Sequence, residues 1–328
     1  MKSIFSGLGL SGACGGCVFS VLLVVTAAAC GASEPYDGFS FEEGLDLRLD
    51  GVTWLRTVTT PFDPDRAELT YKVFTHLYDF EGAWPITKGA GGRYTHHRGL
   101  FIGWNHTLVG EDAIDTWHMR RGRSGLLREQ PAHQQLAEWL EQHADADGAV
   151  HTARILWAAE GVEPFIEEER RIAARTGADG MRVVDFVSTL NTLAGPIRLR
   201  GDAHHAGMQV RMSNEVVDNE DETVYILPEG AERADNDIIP GIWWMCGSMP
   251  VRGTRYWVLH MTAPDLVTGA PDYSLRKYGR FGAFFEPDLE PGAPLRLAFR
   301  VILSKEPLDQ AQCQALYDAY CAELEGGQ

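Results

Sequence analysis

Residues 181–193, Met-Arg-Val-Val-Asp-Phe-Val-Ser-Thr-Leu-Asn-Thr-Leu, are dominated by β-branched and aromatic side chains and read as a strand. Working outward, runs of the same kind recur upstream at 165–173 and 149–158, and downstream at 208–212, 223–227, 242–246, 255–261 and 295–303. Three more stand nearer the start, at 52–58, 69–77 and 100–104. Gly, Pro, Asp and Asn separate them, and no helical segments alternate with the strands. That rhythm predicts an all-β protein, an antiparallel β-sandwich rather than a parallel βαβ sheet.

Two stretches depart from it. In Ala132 to His143 the residues Leu136, Trp139 and Leu140 repeat at helical spacing, which predicts a short helix or lid. Pro307 to Leu324 carries a stripe of Leu316, Tyr317, Tyr320, Cys321 and Leu324 behind a proline suited to a first helical turn. It predicts a C-terminal helix packed on the sandwich edge.

The opening thirty residues read as a targeting segment. Lys2 is followed by the largely apolar run Val18 to Ala29 and then by Ala27-Ala28-Ala29-Cys30-Gly31, the pattern of a bacterial lipoprotein signal with Cys30 as the acylated residue. Ordinary cleavage after Ala29 is the alternative, and both readings predict export. The expected organisation is a signal peptide over 1–30, a tether over 31–41 and one β-sandwich domain over 42–328, lipid-anchored on the periplasmic or outer-membrane side. Removal of the leader leaves about 298 residues of the 328, enough for one large all-β domain. A formal net charge of −17, spread along the chain, excludes nucleic acid as an expected partner and leaves a carbohydrate and the lipid bilayer. Beyond the leader only Cys246, Cys313 and Cys321 remain, too few for a disulfide framework. Cys313 and Cys321 would lie about 12 Å apart along a helix, beyond disulfide reach, and read as buried thiols.

Chemistry concentrates in three places. Thr95-His96-His97-Arg98-Gly99 follows a glycine-rich approach and opens an apolar strand that ends in Gly103-Trp104-Asn105. Imidazole binds metals or moves protons near neutral pH, and guanidinium recognises carboxylate or keto oxygens. Gly201-Asp202-Ala203-His204-His205-Ala206-Gly207 opens a second strand, which carries Arg211. Neighbours on a regular strand face opposite ways, so one imidazole from each pair is expected to converge, with His118 or Glu169 as a further metal ligand. The third place is Tyr273 to Phe285, where Tyr278 and Arg280 stand among glycines and aromatics suited to a sugar. No G-x-S-x-G elbow, P-loop, G-x-G-x-x-G after a strand or H-E-x-x-H occurs, which disfavours nucleotide and flavin chemistry.

These motifs, namely Tyr94 to Gly99, Phe101 to Asn105, Asp115-Thr116-Trp117-His118-Met119, Gly201-Asp202 with His205-Ala206-Gly207, and Tyr278-Gly279-Arg280-Phe281-Gly282, together resemble the DUF6807 family. That group is abundant in Planctomycetes and often labelled methane-oxygenase-A-like. The resemblance implies a sandwich similar to the galactose-mutarotase supersandwich and an association with sugar-processing proteins. The leading expectation is an exported carbohydrate-active enzyme that hydrolyses or eliminates at a glycosidic bond, or epimerises next to a carbonyl. His97 and His205 are the expected acid/base pair, with Arg98, Arg280 and Tyr278 as catalytic support. Trp104, Asn105, Trp117 and Arg211 are expected substrate contacts. A divalent metal on His96, His97, His118, His205 and Glu169 is an alternative use of the same residues. The rival readings are a non-catalytic, surface-anchored carbohydrate-binding protein and a metal-dependent oxygenase.

Overall fold

The strand seeded by residues 181–193 runs Arg182–Thr192, buried on its inward face and mostly half-buried on its outward one. Inward it places Phe186 opposite Phe299, with ring centroids 6.3 Å apart. Each such buried side chain contributes about 1.5–3 kcal/mol relative to exposure. Outward it places Val183 beneath the C-terminal helix. The computed structural model describes residues 39–42, 46–119, 130–264 and 269–326. The leader and Cys30 lie outside the described residues.

The fold is the expected antiparallel sandwich. Among the described residues one sheet has nine strands in the order Phe39–Glu42, Asp46–Leu49, Val52–Val58, Phe74–Leu77, Leu100–Ile102, Met208–Arg211, Arg280–Phe284, Asp272–Arg276, Ile238–Ile239. The other has twelve and runs Val224–Ile226, Trp244–Val251, Thr254–Thr262, Leu295–Ser304, Arg182–Thr192, Val162–Thr176, Ala149–Ala159, Gln130–Ala144, Asp112–Asp115, His106–Val109, Ile197–Arg200, Asp288–Leu289. One described pairing, Ile114 with Gln130, is parallel. The core between the sheets joins Leu100, Ile102, Met208, Val210 and Phe281 of the smaller sheet to Ile155, Trp157, Phe186 and Phe299 of the larger.

Two expectations are corrected. Ala132 to His143 is neither helix nor lid but part of the strand Gln130–Ala144. The strand shifts register between Leu136 and Glu138 and again between Trp139 and Glu141. Each bulge skips one residue, so Leu136 and Trp139 both turn to the core and imitate a helical period. The C-terminal helix, Gln310–Gly326, packs on the outer face of the larger sheet instead of its edge, with Cys313, Tyr317 and Tyr320 buried against Trp244, Leu259 and Ile302. It starts after Asp309, whose side chain accepts from Gln312 N while Gln312 Oε1 accepts from Asp309 N, a reciprocal cap that Pro307 precedes. The strand Phe39–Glu42 pairs with Asp46–Leu49.

Strand alternation decides where the site lies. Leu100, Ile102, Met208 and Val210 turn to the shared core, so Phe101, Gln209 and Arg211 turn to the opposite face of the smaller sheet. There Phe101 forms a separate small cluster with Phe74 and Trp117. Loops carrying the histidines cover this face.

Candidate functional site

Four imidazoles from three distant segments meet over that face. Ring centroids are 4.1 Å apart for His96 and His97, 4.5 Å for His96 and His118, 4.7 Å for His118 and His205, and 5.9 Å for His96 and His205. One convergent imidazole per pair was the expectation, yet both His96 and His97 reach the cluster. They stand in a turn before the strand Leu100–Ile102, where the alternation of a regular strand does not apply. His204 turns aside instead, its Nδ1 lying 2.7 Å from Ser274 Oγ.

Two of the imidazoles are each oriented by an aspartate three residues earlier. His118 Nδ1 lies 3.0 Å from Asp115 Oδ2, while Asp115 Oδ1 accepts from the backbone N–H groups of Trp117 and His118. His205 Nδ1 lies 2.7 and 2.8 Å from the two oxygens of Asp202, which also accepts from His204 N and from Asn105 Nδ2. An ionised carboxylate only accepts, so Nδ1 carries a proton on both rings, and in the neutral imidazole Nε2 keeps its lone pair. His118 Nε2 is buried with no partner among the described residues. Between these dyads lies a cleft of about 410 Å3 lined by Asn105, His106, Asp115, His118, Gly201, Asp202 and His205.

Burial, reinforced by His96, Arg280, Arg211 and Lys72, pushes His97 well below the usual imidazole range. Burial also lowers His205, against the opposing pull of Asp202. Burial alone would raise the Asp202 carboxyl, but its hydrogen bonds and the neighbouring His205 hold it far below the usual carboxylate range.

The cations around the cluster hold backbone. Lys72 Nζ donates to His96 O at 2.8 Å and lies 4.0 Å from the Phe101 ring centroid. Lys88 Nζ donates to Gly89 O and His97 O, and burial lowers it to about 7. Arg98, expected as an oxyanion holder, is fully buried and donates to the carbonyls of Thr95, His97 and Glu68. Arg280 donates to His204 O, Gln209 Oε1 and Ser274 Oγ. Arg211 donates to Met212 O and Tyr278 O and sits 4.9 Å from the Tyr278 ring centroid. These three arginines act by positioning the histidine segments and Tyr278.

Other expected contacts are redistributed. Trp104 is a core residue, 0 % exposed, whose Nε1 donates to Phe285 O, so it offers no sugar platform. Trp117 is likewise buried and forms a wall behind the imidazoles, 5.7 Å from the His205 ring centroid. Glu169 is no candidate ligand. It is exposed on the outer face of the strand Val162–Thr176, whose inward positions at this point are Glu168 and Arg170. Asn105 lines the cleft.

Sequence reasoning missed the orienting aspartates and Tyr94. The signal for the first was a repeated Asp-x-x-His, at 115–118 and 202–205. Tyr94 is 43 % exposed at φ +51°, an uncommon conformation for a bulky residue. Its ring stacks on Tyr278 with centroids 4.5 Å apart, and Tyr278 lies 6.0 Å from His97. Two glycines permit the close packing. A Cβ on Gly99 would strike Thr75 O, and Gly207, at φ +73°, would place one on Ala283 O.

No curated protein matches the chain by sequence. Among solved structures, a protein described as a kojibiose phosphorylase from human microbiome is similar at a TM-score of 0.33 and 10 % identity, covering 83 % of this chain and 35 % of its own. The chain therefore spans about a third of that protein's length, and the likeness carries no argument about activity. A family model described as a family of unknown function, DUF6807, matches residues 44–318, a span that holds every histidine of the cluster and both orienting aspartates. By that match, and as its motifs led one to expect, the chain belongs to the DUF6807 family.

Proposed function

We infer that this chain is an exported enzyme, lipid-anchored through Cys30, that acts on a carbohydrate by proton transfer at the histidine cluster. One observation carries the reading: His118 and His205, 4.7 Å apart, each have Nδ1 tied to an aspartate, which leaves two Nε2 lone pairs beside one cleft. Elimination at a glycosidic bond and epimerisation beside a carbonyl both begin with a base that removes a C–H proton, and the imidazolium so formed then gives that proton to the departing oxygen or back to carbon. A lowered, neutral His205 suits the base. The cleft volume falls in the range that encloses small ligands. The Tyr94–Tyr278 stack supplies an aromatic face of the kind that packs on a pyranose ring. Hydrolysis would use the same pair with water as nucleophile.

The test follows solvent isotope. The purified chain is incubated with a panel of glycosides and keto-sugars in D2O and in oxygen-18 water, and label entry is read by NMR and mass spectrometry. Label is expected to enter a sugar, or an unsaturated sugar to form where the reaction is an elimination, and His205→Ala is expected to slow the change by about 100-fold or more. Binding of sugars with neither label entry nor an unsaturated product would overturn the enzymatic reading in favour of a surface-anchored binding protein.

A further inference from the structure

Proton transfer leaves His96 and His97 unused, and with an ion on His205 the base of that reading becomes His118. His96, His97 and His205 each present a ring nitrogen, and the three nitrogens lie within 4.8 Å of one another. His97 is 1 % exposed and neither of its nitrogens has a hydrogen-bond partner among the described residues. An unpartnered buried imidazole costs about 1–3 kcal/mol in lost hydrogen bonding. Such a cost persists where the lone pair has a ligand. The neighbouring anchors are those of a metal centre: Asp202 fixes the tautomer of His205, and Lys72 and Lys88 pin the carbonyls of His96 and His97, which holds the turn in place.

We propose that His96, His97 and His205 hold a divalent late first-row metal ion, zinc foremost, and that its remaining position takes an anionic oxygen. Three imidazole nitrogens suit this class of ion, and on tetrahedral zinc they would stand about 3.3 Å apart, a modest closing of the present spacing. The preference for an anion follows from charge. Arg98, Arg211 and Arg280 are all buried, and among the described residues none lies within ion-pair distance of a carboxylate. A dication carried by three neutral imidazoles adds to that positive field. Hydroxide or a substrate carboxylate offsets it, and a metal-bound water in such a field loses its proton more readily.

The chain is stripped with a chelator, reloaded with zinc or cobalt alone, and its metal measured by elemental analysis. One ion per chain is expected, with acetate tightening zinc binding. His97→Ala and His205→Ala are each expected to lose the ion, Asp202→Asn to weaken it about 10–100-fold, and Glu169→Ala to leave it unchanged. Loss of a buried imidazole can unfold the turn, so the unsubstituted chain supplies a second measurement: saturating zinc raises its melting temperature. No retained ion in the unsubstituted chain, or full retention in the double variant His97→Ala/His205→Ala, overturns the proposal. Sugar turnover at full rate in the stripped chain overturns a catalytic role for the metal while sparing the acid/base reading. A bound ion without turnover does the reverse.

Discussion

Lowering the pH from 7 to 5 is expected to remove about 6 kcal/mol of folding stability, a large share of what a domain usually has. The cause is a set of imidazoles buried in neutral form. Burial lowers His151 and His260 to about 3 and His76 to about 4. His151 Nε2 lies 2.9 Å from Thr57 Oγ1, His260 Nδ1 lies 3.0 Å from Tyr273 Oη, and His76 Nδ1 lies 3.0 Å from Thr87 Oγ1. In the unfolded chain each titrates near 6.5. Below that value the unfolded state takes up protons that the folded state refuses, so these groups contribute fully above pH 6.5 and lose their contribution as pH falls toward 3–4. Each loses about 2 kcal/mol by pH 5. Urea unfolding across this range checks it, and a flat stability between pH 7 and 5 would contradict it.

Glu168→Ala is expected to destabilise the fold by about 3–5 kcal/mol. Glu168 is 0 % exposed and accepts from Arg170 Nε and Nη2, Trp157 Nε1 and Ser188 Oγ, at 2.7 to 2.8 Å. Arg170 in turn donates to Val73 O at 2.7 Å, at the entry to the smaller sheet, so the pair stitches the two sheets together. Truncation strands a buried guanidinium, which is where the cost arises. Replacing both partners by apolar residues, Glu168→Leu with Arg170→Met, is expected to cost much less than the single change because no charge is left behind. Urea midpoints at unchanged slope measure both, and a single change as mild as the double would refute the assignment.

Strands 52–58 and 182–192 were legible from their own composition and are found within a residue of where the sequence puts them, whereas the run 69–77 is a strand only over Phe74–Leu77 and begins in the helix Ala67–Thr70. What the sequence hid were consequences of pairing. Two bulges gave Leu136 and Trp139 a helical period inside a strand, and a turn freed His96 and His97 to face the same way. The meeting of both histidine segments was foreseen from residue type, since paired imidazoles beside glycines are uncommon. The partner of each guanidinium was not. Arg98, Arg211 and Arg280 bond mainly to backbone carbonyls, which no side-chain pattern reveals. Trp104 and Trp117 were misread for a related reason, since an aromatic at the end of a strand has the same composition whether it faces the core or a ligand.

The central claim is that imidazoles from separate segments offer unprotonated Nε2 atoms to one cleft. Long-range nitrogen–proton NMR of the histidine rings tests it without any substrate. His118 and His205 are predicted to be Nδ1-protonated tautomers at neutral pH, with zinc shifting the resonances of His96, His97 and His205 in step. Nε2-protonated rings, or zinc shifts confined to a single histidine, would contradict it.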